Sequence, residues 1–191
     1  MVSDLCFSTV AELRELYASR RLSPVEAVQA ILDHVETADP GINAFVTVTP
    51  ELALRQARAA ETAYARGHAG PLAGIPFTLK DLTPTRGIRT TRGSELYRDW
   101  VPDYDAPVAE RLYAAGGVLL GKTNTPEMGW KGDTDNRVAG PTHNPWRRGR
   151  TAGGSSGGAA AAAAAGFGPL AQGSDGSGTK SIPACMCGVY A

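Results

Sequence analysis

The sequence has few of the residues that build disulfide scaffolds and metal sites, and it has no excess charge. It contains 3 cysteines and 3 histidines in 191 residues, and 19 basic residues balance 19 acidic ones. An odd, small number of cysteines excludes a disulfide-stapled fold. A formal net charge of 0 provides no general electrostatic field for nucleic acid or anionic lipid. No apolar run reaches the length of about 18 residues that a membrane span needs.

Secretory and metal-binding signals are also missing. The first residues, MVSDLCFSTVAELRE, lack the basic segment and the apolar segment of a signal peptide. Cys185 and Cys187 form a C-x-C pair, and no second cysteine or histidine pair follows at zinc spacing. These absences predict a cytoplasmic protein with no metal and no cofactor.

Glycine, in contrast, is abundant and unevenly distributed. Of the 23 glycines, 11 lie between Gly140 and Gly178, a range that contains two Gly-Ser-rich segments, 153–158 and 173–179. Glycine at this density indicates tight turns or a close approach of the backbone to a neighbour.

The rest of the chain alternates helices with short apolar strands. Capping boxes at Thr9–Glu12 and Ser23–Glu26 predict two helices, the first of which ends near Arg20. The apolar face of the second helix is predicted at Val25, Val28, Ile31, Leu32 and Val35. Further helices are predicted from Pro50 to Gly67, from an Asp105 cap through Ala115, and over the alanine run Ala159–Ala165. Strands are predicted at Phe45–Val48, Ile75–Lys80, Val118–Leu120 and Pro169–Gln172. This alternation indicates an α/β layer fold.

Two short motifs match known patterns in the wrong context. Gly116–Thr123 fits the P-loop pattern, but its variable positions are themselves a predicted strand, and Pro126 disfavours the helix that should follow. Gly153–Gly157 fits the G-x-S-x-G nucleophile elbow, whose catalytic histidine should lie after the serine. All histidines precede Ser155, at His34, His68 and His143. We therefore disfavour both phosphate binding and an α/β-hydrolase site.

The segment Gly173–Thr179 suits an anion-binding role. Successive glycines and serines let several backbone N–H groups point inward together, as in an anion nest or an oxyanion hole. A glycine-rich surface loop is the alternative. A local basic cluster at Arg147, Arg148 and Arg150 is better explained as a solvated loop than as a nucleic-acid patch, because the whole chain is neutral.

Taken together, these segments resemble the amidase signature family of Ser-Ser-Lys hydrolases, from about Thr9 to Ala191. The resemblance is carried by Gly70–Pro76 leading to Lys80 and Asp81, Gly121–Glu127, Gly140–Thr142, Asn144–Trp146, Gly153–Gly158 and Gly173–Asp175. It implies a three-layer α/β/α fold with a central mixed sheet, incomplete here because the chain stops early. An N-terminal helical segment, 1–68, would precede the first part of the catalytic domain, 69–191.

The resemblance also implies roles for individual residues. Lys80 aligns with the catalytic base, and Ser155 aligns with a bridging serine whose peptide bond is cis. The family's spacing to Ser155 and Pro183 places the nucleophile at Thr179. The implied oxyanion-hole and substrate-binding residues are Gly176, Ser177, Gly178, Ser174, Asp175 and Ser156. No metal and no cofactor is implied.

This chemistry is physically reasonable. A free lysine has a pKa near ~10.4, and burial lowers the pKa because it disfavours the ammonium form. Ser155 would accept a proton from the nucleophile and pass one to Lys80. The nucleophile would then attack an amide carbonyl to give an acyl-enzyme, which water hydrolyses.

Two departures from the family pattern raise a competing hypothesis. Thr179 stands where the family has serine, and Lys180 and Ser181 stand where it has an aliphatic residue and arginine. Threonine is stiff at χ1, so its hydroxyl is harder to orient. Ser177 or Ser181 as nucleophile would break the family spacing. The chain also ends at Ala191, where the family domain continues, so we expect a polypeptide that is poorly stable alone or needs the remainder in trans.

Three functional hypotheses follow. The first is an amidase that cleaves the C–N bond of a small-molecule amide through an acyl-enzyme. The second is a catalytically impaired member with a binding or scaffolding role. The third is the amidotransferase branch of the family, which alone would bring a nucleic-acid partner. We expect no membrane partner. A homodimer is possible on this sequence, and the sequence does not identify which amide is the substrate.

Overall fold

A computed structural model describes residues 5–191 of the chain. The first four residues of the predicted N-terminal segment lie outside this range. The helices are α1 (Val10–Ala18), α2 (Pro24–Ala38), α3 (Pro50–Ala65), α4 (Pro107–Ala114), α5 (Gly157–Ala164) and α6 (Ser181–Cys187). The strands are β1 (Phe45–Val48), β2 (Pro76–Lys80), β3 (Val118–Thr123), β4 (His143–Asn144), β5 (Arg147–Thr151) and β6 (Leu170–Gln172). Within residues 5–191, no helix combines the length and the apolar character needed to cross a bilayer.

The first two helices begin as their sequences predict. At α1, Thr9 Oγ1 accepts a hydrogen bond from the Glu12 amide at 3.2 Å, and the Glu12 carboxylate accepts one from the Thr9 amide at 2.7 Å. Ser23 and Glu26 make the same reciprocal pair at α2. Each box satisfies two amides that have no partner inside the helix, which fixes where the helices start.

The predicted cap of α4 is wrong. Ala106, not Asp105, is the N-cap residue, and no side chain caps this helix. Pro107 occupies the first helical turn, and a residue before proline is driven to the extended region, as Ala106 is. The Asp105 carboxylate instead accepts a hydrogen bond from the Arg86 amide at 2.8 Å.

Four strands form a mixed sheet in the order β1-β3-β2-β6. β1 runs antiparallel to β3, whereas β2 runs parallel to both β3 and β6. β4 and β5 form a separate antiparallel ribbon. The domain boundary near residue 68 stays a prediction, and β1, which precedes it, pairs directly with β3.

Helices cover both faces of this sheet. Adjacent residues of a strand point to opposite faces. On β3, Val118 and Leu120 pack with apolar residues of α2 and α5, whereas Leu119 packs with Phe77 of β2 and Ala109 of α4. The predicted three-layer α/β/α arrangement with a mixed central sheet is therefore confirmed.

The parallel strands bring polar residues to one edge of the sheet. β2 ends at Lys80, and the Gly-Ser segment that contains Ser174 follows β6 directly. Since β2 and β6 are parallel neighbours, their carboxyl ends lie side by side. The topology thus places the second Gly-Ser segment next to Lys80.

The first Gly-Ser segment is glycine-rich because the backbone packs closely there. A Cβ atom on Gly154 would lie 2.6 Å from backbone atoms of Asp133. A Cβ atom on Gly158, at the start of α5, would collide with the backbone of Asn124. The start of α5 therefore passes so close to neighbouring chain segments that no side chain fits at Gly154 or Gly158.

We expect Gly158→Ala to lower the free energy of unfolding by about 1–3 kcal/mol, because backbone atoms of Asn124 cannot move aside cheaply. This loss opposes the intrinsic preference of alanine for helices. Urea unfolding of the full chain measures the change. Gly41→Ala is the matched control, since nothing lies within 4 Å of its added Cβ atom. Equal midpoints for the two variants would contradict the prediction.

Candidate active site

The site is built around the buried side chain of Lys80. Its Nζ lies 2.6 Å from Ser155 Oγ, 3.0 Å from Ser156 Oγ and 3.0 Å from Ser174 Oγ. Lys80 comes from the end of β2, the serine pair precedes α5, and Ser174 follows β6. Three separate chain segments therefore meet at this site: one supplies the amine, and the other two supply the hydroxyls that bind it.

Burial changes the acidity of this amine. Removal from water lowers the pKa of Lys80 to about 8, and the negative charge of Asp175 opposes this shift. Among residues 5–191, no carboxylate lies within ion-pair distance of Lys80. At pH 7 about a tenth of the side chain is therefore an uncharged amine, far more than for a lysine in water.

The main chain of Lys80 is fixed by Gln172, the last residue of β6. Gln172 Oε1 accepts hydrogen bonds from the Lys80 amide at 3.1 Å and from Thr83 Oγ1 at 3.0 Å. Its Nε2 donates to the Gly173 carbonyl at 2.8 Å. Sequence reasoning missed this residue, and the available signal was a polar side chain at a strand end, directly before a Gly-Ser segment.

The two adjacent serines are both 2% exposed. The peptide bond between Gly154 and Ser155 is cis, as the family resemblance implies. Ser156 Oγ donates to the Ser174 carbonyl at 3.2 Å and accepts from the Ser174 amide at 3.3 Å. The Ser156 amide donates to the Thr179 carbonyl at 3.0 Å. Ser156 thus joins the start of α5 to the second Gly-Ser segment.

Thr179, the predicted nucleophile, does not contact the amine. Its hydroxyl donates to the Ser174 carbonyl at 3.1 Å. Within the described part of the chain, no hydrogen bond joins that hydroxyl to Ser155 or to Lys80. The structure therefore brings Lys80 and Ser155 together and leaves Thr179 beside them, and the role of Thr179 stays a prediction.

The backbone amides of residues 178–181 form a nest that holds the chain's own Asp175. Oδ1 accepts from the amides of Gly178 and Thr179 at 2.5 and 3.1 Å. Oδ2 accepts from the amides of Lys180 and Ser181 at 2.9 and 3.1 Å. These hydrogen bonds, those from Lys180 and Ser181 above all, lower the pKa of Asp175 to about 2. The family resemblance implies the amides from Gly176 to Thr179 as the oxyanion hole, and two of these four, those of Gly178 and Thr179, are engaged by Asp175.

The other two amides of the predicted oxyanion hole have no hydrogen-bond partner among the described residues. The amides of Gly176 and Ser177 have no hydrogen-bond acceptor within residues 5–191, and both residues are exposed. Residues 5–191 contain no group of three or more His, Cys, Asp or Glu side chains that could hold a metal ion.

Comparison with known proteins places the chain in a family. The sequence model of the Amidase family matches residues 26–190. The chain belongs to the amidase signature family. The P-loop and nucleophile-elbow matches are accordingly parts of this family's sheet and Gly-Ser loop.

Relatives of this amidase signature chain have several activities. It is 48% identical over 187 residues to an acylamidase of Rhodococcus erythropolis, in an alignment that covers 97% of this chain and 39% of the relative. It is also 48% identical over 187 residues to one of the subunits of the glutamyl-tRNA(Gln) amidotransferase of Moorella thermoacetica, covering 97% of this chain and 38% of the relative.

Solved structures agree with the family assignment. The 6-aminohexanoate cyclic dimer hydrolase superposes with a TM-score of 0.88 at 40% identity, over 96% of this chain and 37% of that protein. The chain thus spans less than two fifths of the length of these relatives, as the 39%, 38% and 37% coverages state.

This amidase signature chain contains a second buried lysine, Lys122, on β3. Its Nζ donates to the Thr83 carbonyl at 2.6 Å and to Thr90 Oγ1 at 2.8 Å, and it lies 3.9 Å from Asp81 Oδ1. Burial lowers the pKa of Lys122 to about 8 and raises the pKa of Asp81. Unlike Lys80, Lys122 has a carboxylate partner. It connects β3 to the segment that follows Lys80.

We expect Lys122→Met to lower the free energy of unfolding by about 3–5 kcal/mol, because it leaves the Asp81 carboxylate buried without its cation. The double variant Lys122→Met with Asp81→Asn should regain part of this loss, since no charge is then buried. Urea unfolding of wild type, both singles and the double variant measures the coupling. Additive effects of the two substitutions would contradict the prediction.

Proposed function

We propose that this chain carries the proton-transfer centre of an amide hydrolase and cleaves a carboxylic amide C–N bond through an acyl-enzyme. The observation that carries the proposal is the 2.6 Å contact between Lys80 Nζ and Ser155 Oγ, deep in the protein and without a carboxylate partner. A general base must lie within hydrogen-bond reach of the proton that it receives and must have a pKa near the working pH. Lys80 satisfies both conditions.

The hydrogen bonds around Lys80 are consistent with a neutral amine. Such an amine donates two hydrogen bonds and accepts one. Ser156 gives its proton to the Ser174 carbonyl, so it accepts from Lys80. Within residues 5–191, Ser155 Oγ makes its hydrogen bond with Lys80 and with no other residue, so its proton is free to point at the nitrogen lone pair.

The reaction then proceeds in two stages. A side-chain hydroxyl attacks the amide carbon while its proton moves to Lys80, directly or through Ser155. The carbonyl electron pair moves to oxygen, and in this proposal the amides of Gly176 and Ser177, which have no acceptor within residues 5–191, donate to that oxygen. The C–N bond breaks as the lysine ammonium protonates the leaving amine, and water hydrolyses the ester. The family resemblance assigns the attacking hydroxyl to Thr179.

The substrate class proposed for the whole protein is a small-molecule amide, in line with the acylamidase relative. The relationship to an amidotransferase component favours a second candidate, in which glutamine is the amide and a partner complex passes the ammonia to aminoacyl-tRNA. Both candidates use the same amine and hydroxyls. The cytoplasmic location and a homodimer stay predictions.

Lys80→Met should lower amide hydrolysis by about 10²–10⁴-fold, the usual contribution of a general base. The rate of ammonia or amine release by the full chain is measured on an aliphatic amide, an aryl amide and glutamine. Lys131→Met is the matched control, since no hydrogen bond within residues 5–191 links Lys131 to Lys80 or to the three serines. Equal rates for Lys80→Met and wild type would overturn the proposed function, and activity on glutamine alone would favour the amidotransferase candidate.

The rate should also rise with pH. The base must be the neutral amine, and the pKa of Lys80 is about 8. Below that pH the ammonium predominates, so kcat/KM should fall about tenfold for each unit of pH. A profile between about pH 6 and about pH 9 measures this dependence. A flat profile over that range would contradict a lysine base.

A further inference from the structure

The glutamine that ends β6 contacts the chain both at Lys80 and just after it. Gln172 lies opposite Leu79 in the register of β2 against β6. Its Oε1 accepts hydrogen bonds from the Lys80 amide at 3.1 Å and from Thr83 Oγ1 at 3.0 Å. We propose that Gln172 is a positioning residue, which acts through Lys80 by holding the end of β2 in place. This inference rests on the proposed amide hydrolysis and names a residue that holds its base.

The orientation of the Gln172 side-chain amide is set by its partners. A backbone N–H can only donate a hydrogen bond, and a backbone carbonyl can only accept one. The oxygen of the side chain therefore faces the Lys80 amide, and its nitrogen faces the Gly173 carbonyl at 2.8 Å. One orientation of Gln172 thus satisfies all three contacts, and an apolar residue of similar size would make none of them.

Thr83 closes the turn that follows Lys80. Its amide donates to the Lys80 carbonyl at 2.9 Å, and its own carbonyl accepts from Lys122 Nζ at 2.6 Å. Thr83 is only 9% exposed, and Lys122 is fully buried. The hydroxyl of Thr83 donates to Gln172, which joins this turn to β6. The main chain of Lys80 is therefore held at its N–H group by Gln172 and at its carbonyl by the turn.

The position of this main chain matters for the proton transfer. Lysine carries its amine on a flexible four-carbon stem, so the hydrogen bonds of the amine do not by themselves fix the backbone of Lys80. The contact from Nζ to Ser155 Oγ is 2.6 Å, and a misplacement of about 1 Å can cost about 10²-fold in rate. The polar atoms of Gln172 are engaged within the protein, so we expect its loss to change kcat rather than KM.

A second glutamine makes the same kind of contact away from the amine. Gln56 Oε1, on α3, accepts a hydrogen bond from the Leu119 amide of β3 at 2.8 Å. Both glutamines are half-buried. Within residues 5–191, no hydrogen bond joins Gln56 to Lys80 or to the serines that bind its amine. Gln56→Leu therefore removes a side-chain acceptor from a strand amide and serves as the matched control.

Steady-state kinetics of amide hydrolysis by the full chain test the role. Gln172→Leu should lower kcat by about 10–10²-fold at unchanged KM, because a displaced base slows the chemical step. Gln56→Leu should change neither constant. Gln172→Glu keeps an oxygen for both donors, so its kcat should lie between those of wild type and Gln172→Leu when each variant is compared at the top of its own pH profile.

A second measurement follows the amine without turnover. Lysine side chains are labelled with ¹³C at Cε, their NMR signals are titrated with pH, and Lys80→Met identifies the signal of Lys80. The pKa of Lys80 is about 8 because the amine is buried. Gln172→Leu should raise this midpoint toward the ~10.4 of free lysine, since an amine on a loosened strand end regains water. Gln56→Leu should leave the midpoint unchanged.

The outcomes separate this inference from the function on which it rests. Equal kcat values and equal NMR midpoints for Gln172→Leu and Gln56→Leu would overturn the inference and leave the proposed hydrolysis intact. An increase in KM alone would overturn it too, because Gln172 would then act in substrate binding. Equal rates for Lys80→Met and wild type would overturn the proposed function and the inference together. If Gln172→Leu does not fold, Thr83→Val removes one of the two bonds to Oε1, and an unchanged kcat in that variant would contradict the inference.

Discussion

The arrangement of this site depends on an amine that is buried without a counter-charge. A lysine removed from water and left without a carboxylate loses much of the stability of its charged form. Lys80 is in this position, because its hydrogen-bond partners are hydroxyls, and Asp175, whose charge opposes the lowering of its pKa, is itself held by backbone amides. Lys122 provides the internal contrast, since it is equally buried but lies beside Asp81. The two buried lysines thus differ in whether a carboxylate lies within ion-pair distance.

The sheet supplies the rigidity that such a site needs. Parallel strands β2 and β6 end side by side, and Gln172 links the end of one to the main chain of the other. The start of α5 reaches the same point because glycines let its backbone pass close to its neighbours. Each hydroxyl therefore lies on a segment whose backbone is hydrogen-bonded elsewhere. The amine and its partners are positioned before any substrate arrives.

Much of this architecture could be predicted from the sequence. Capping boxes fixed the helix starts, apolar runs indicated the strands, and the family resemblance paired Lys80 with Ser155. The sequence could not reveal that the Asp175 carboxylate turns back into the amide nest, or that Thr179 bonds to a carbonyl. These outcomes depend on side-chain rotamers and on competition among acceptors. The Asp105 cap failed for a similar local reason, the effect of Pro107 on the residue before it.

A base with several hydroxyl neighbours has a consequence for how its position is held. Lys80 Nζ makes hydrogen bonds to Ser155, Ser156 and Ser174 at 2.6–3.0 Å, and these serines come from two separate segments. A substitution that removes one of these hydroxyls leaves two hydrogen bonds to the same nitrogen. The location of the amine is therefore less sensitive to substitution than the role of any single hydroxyl.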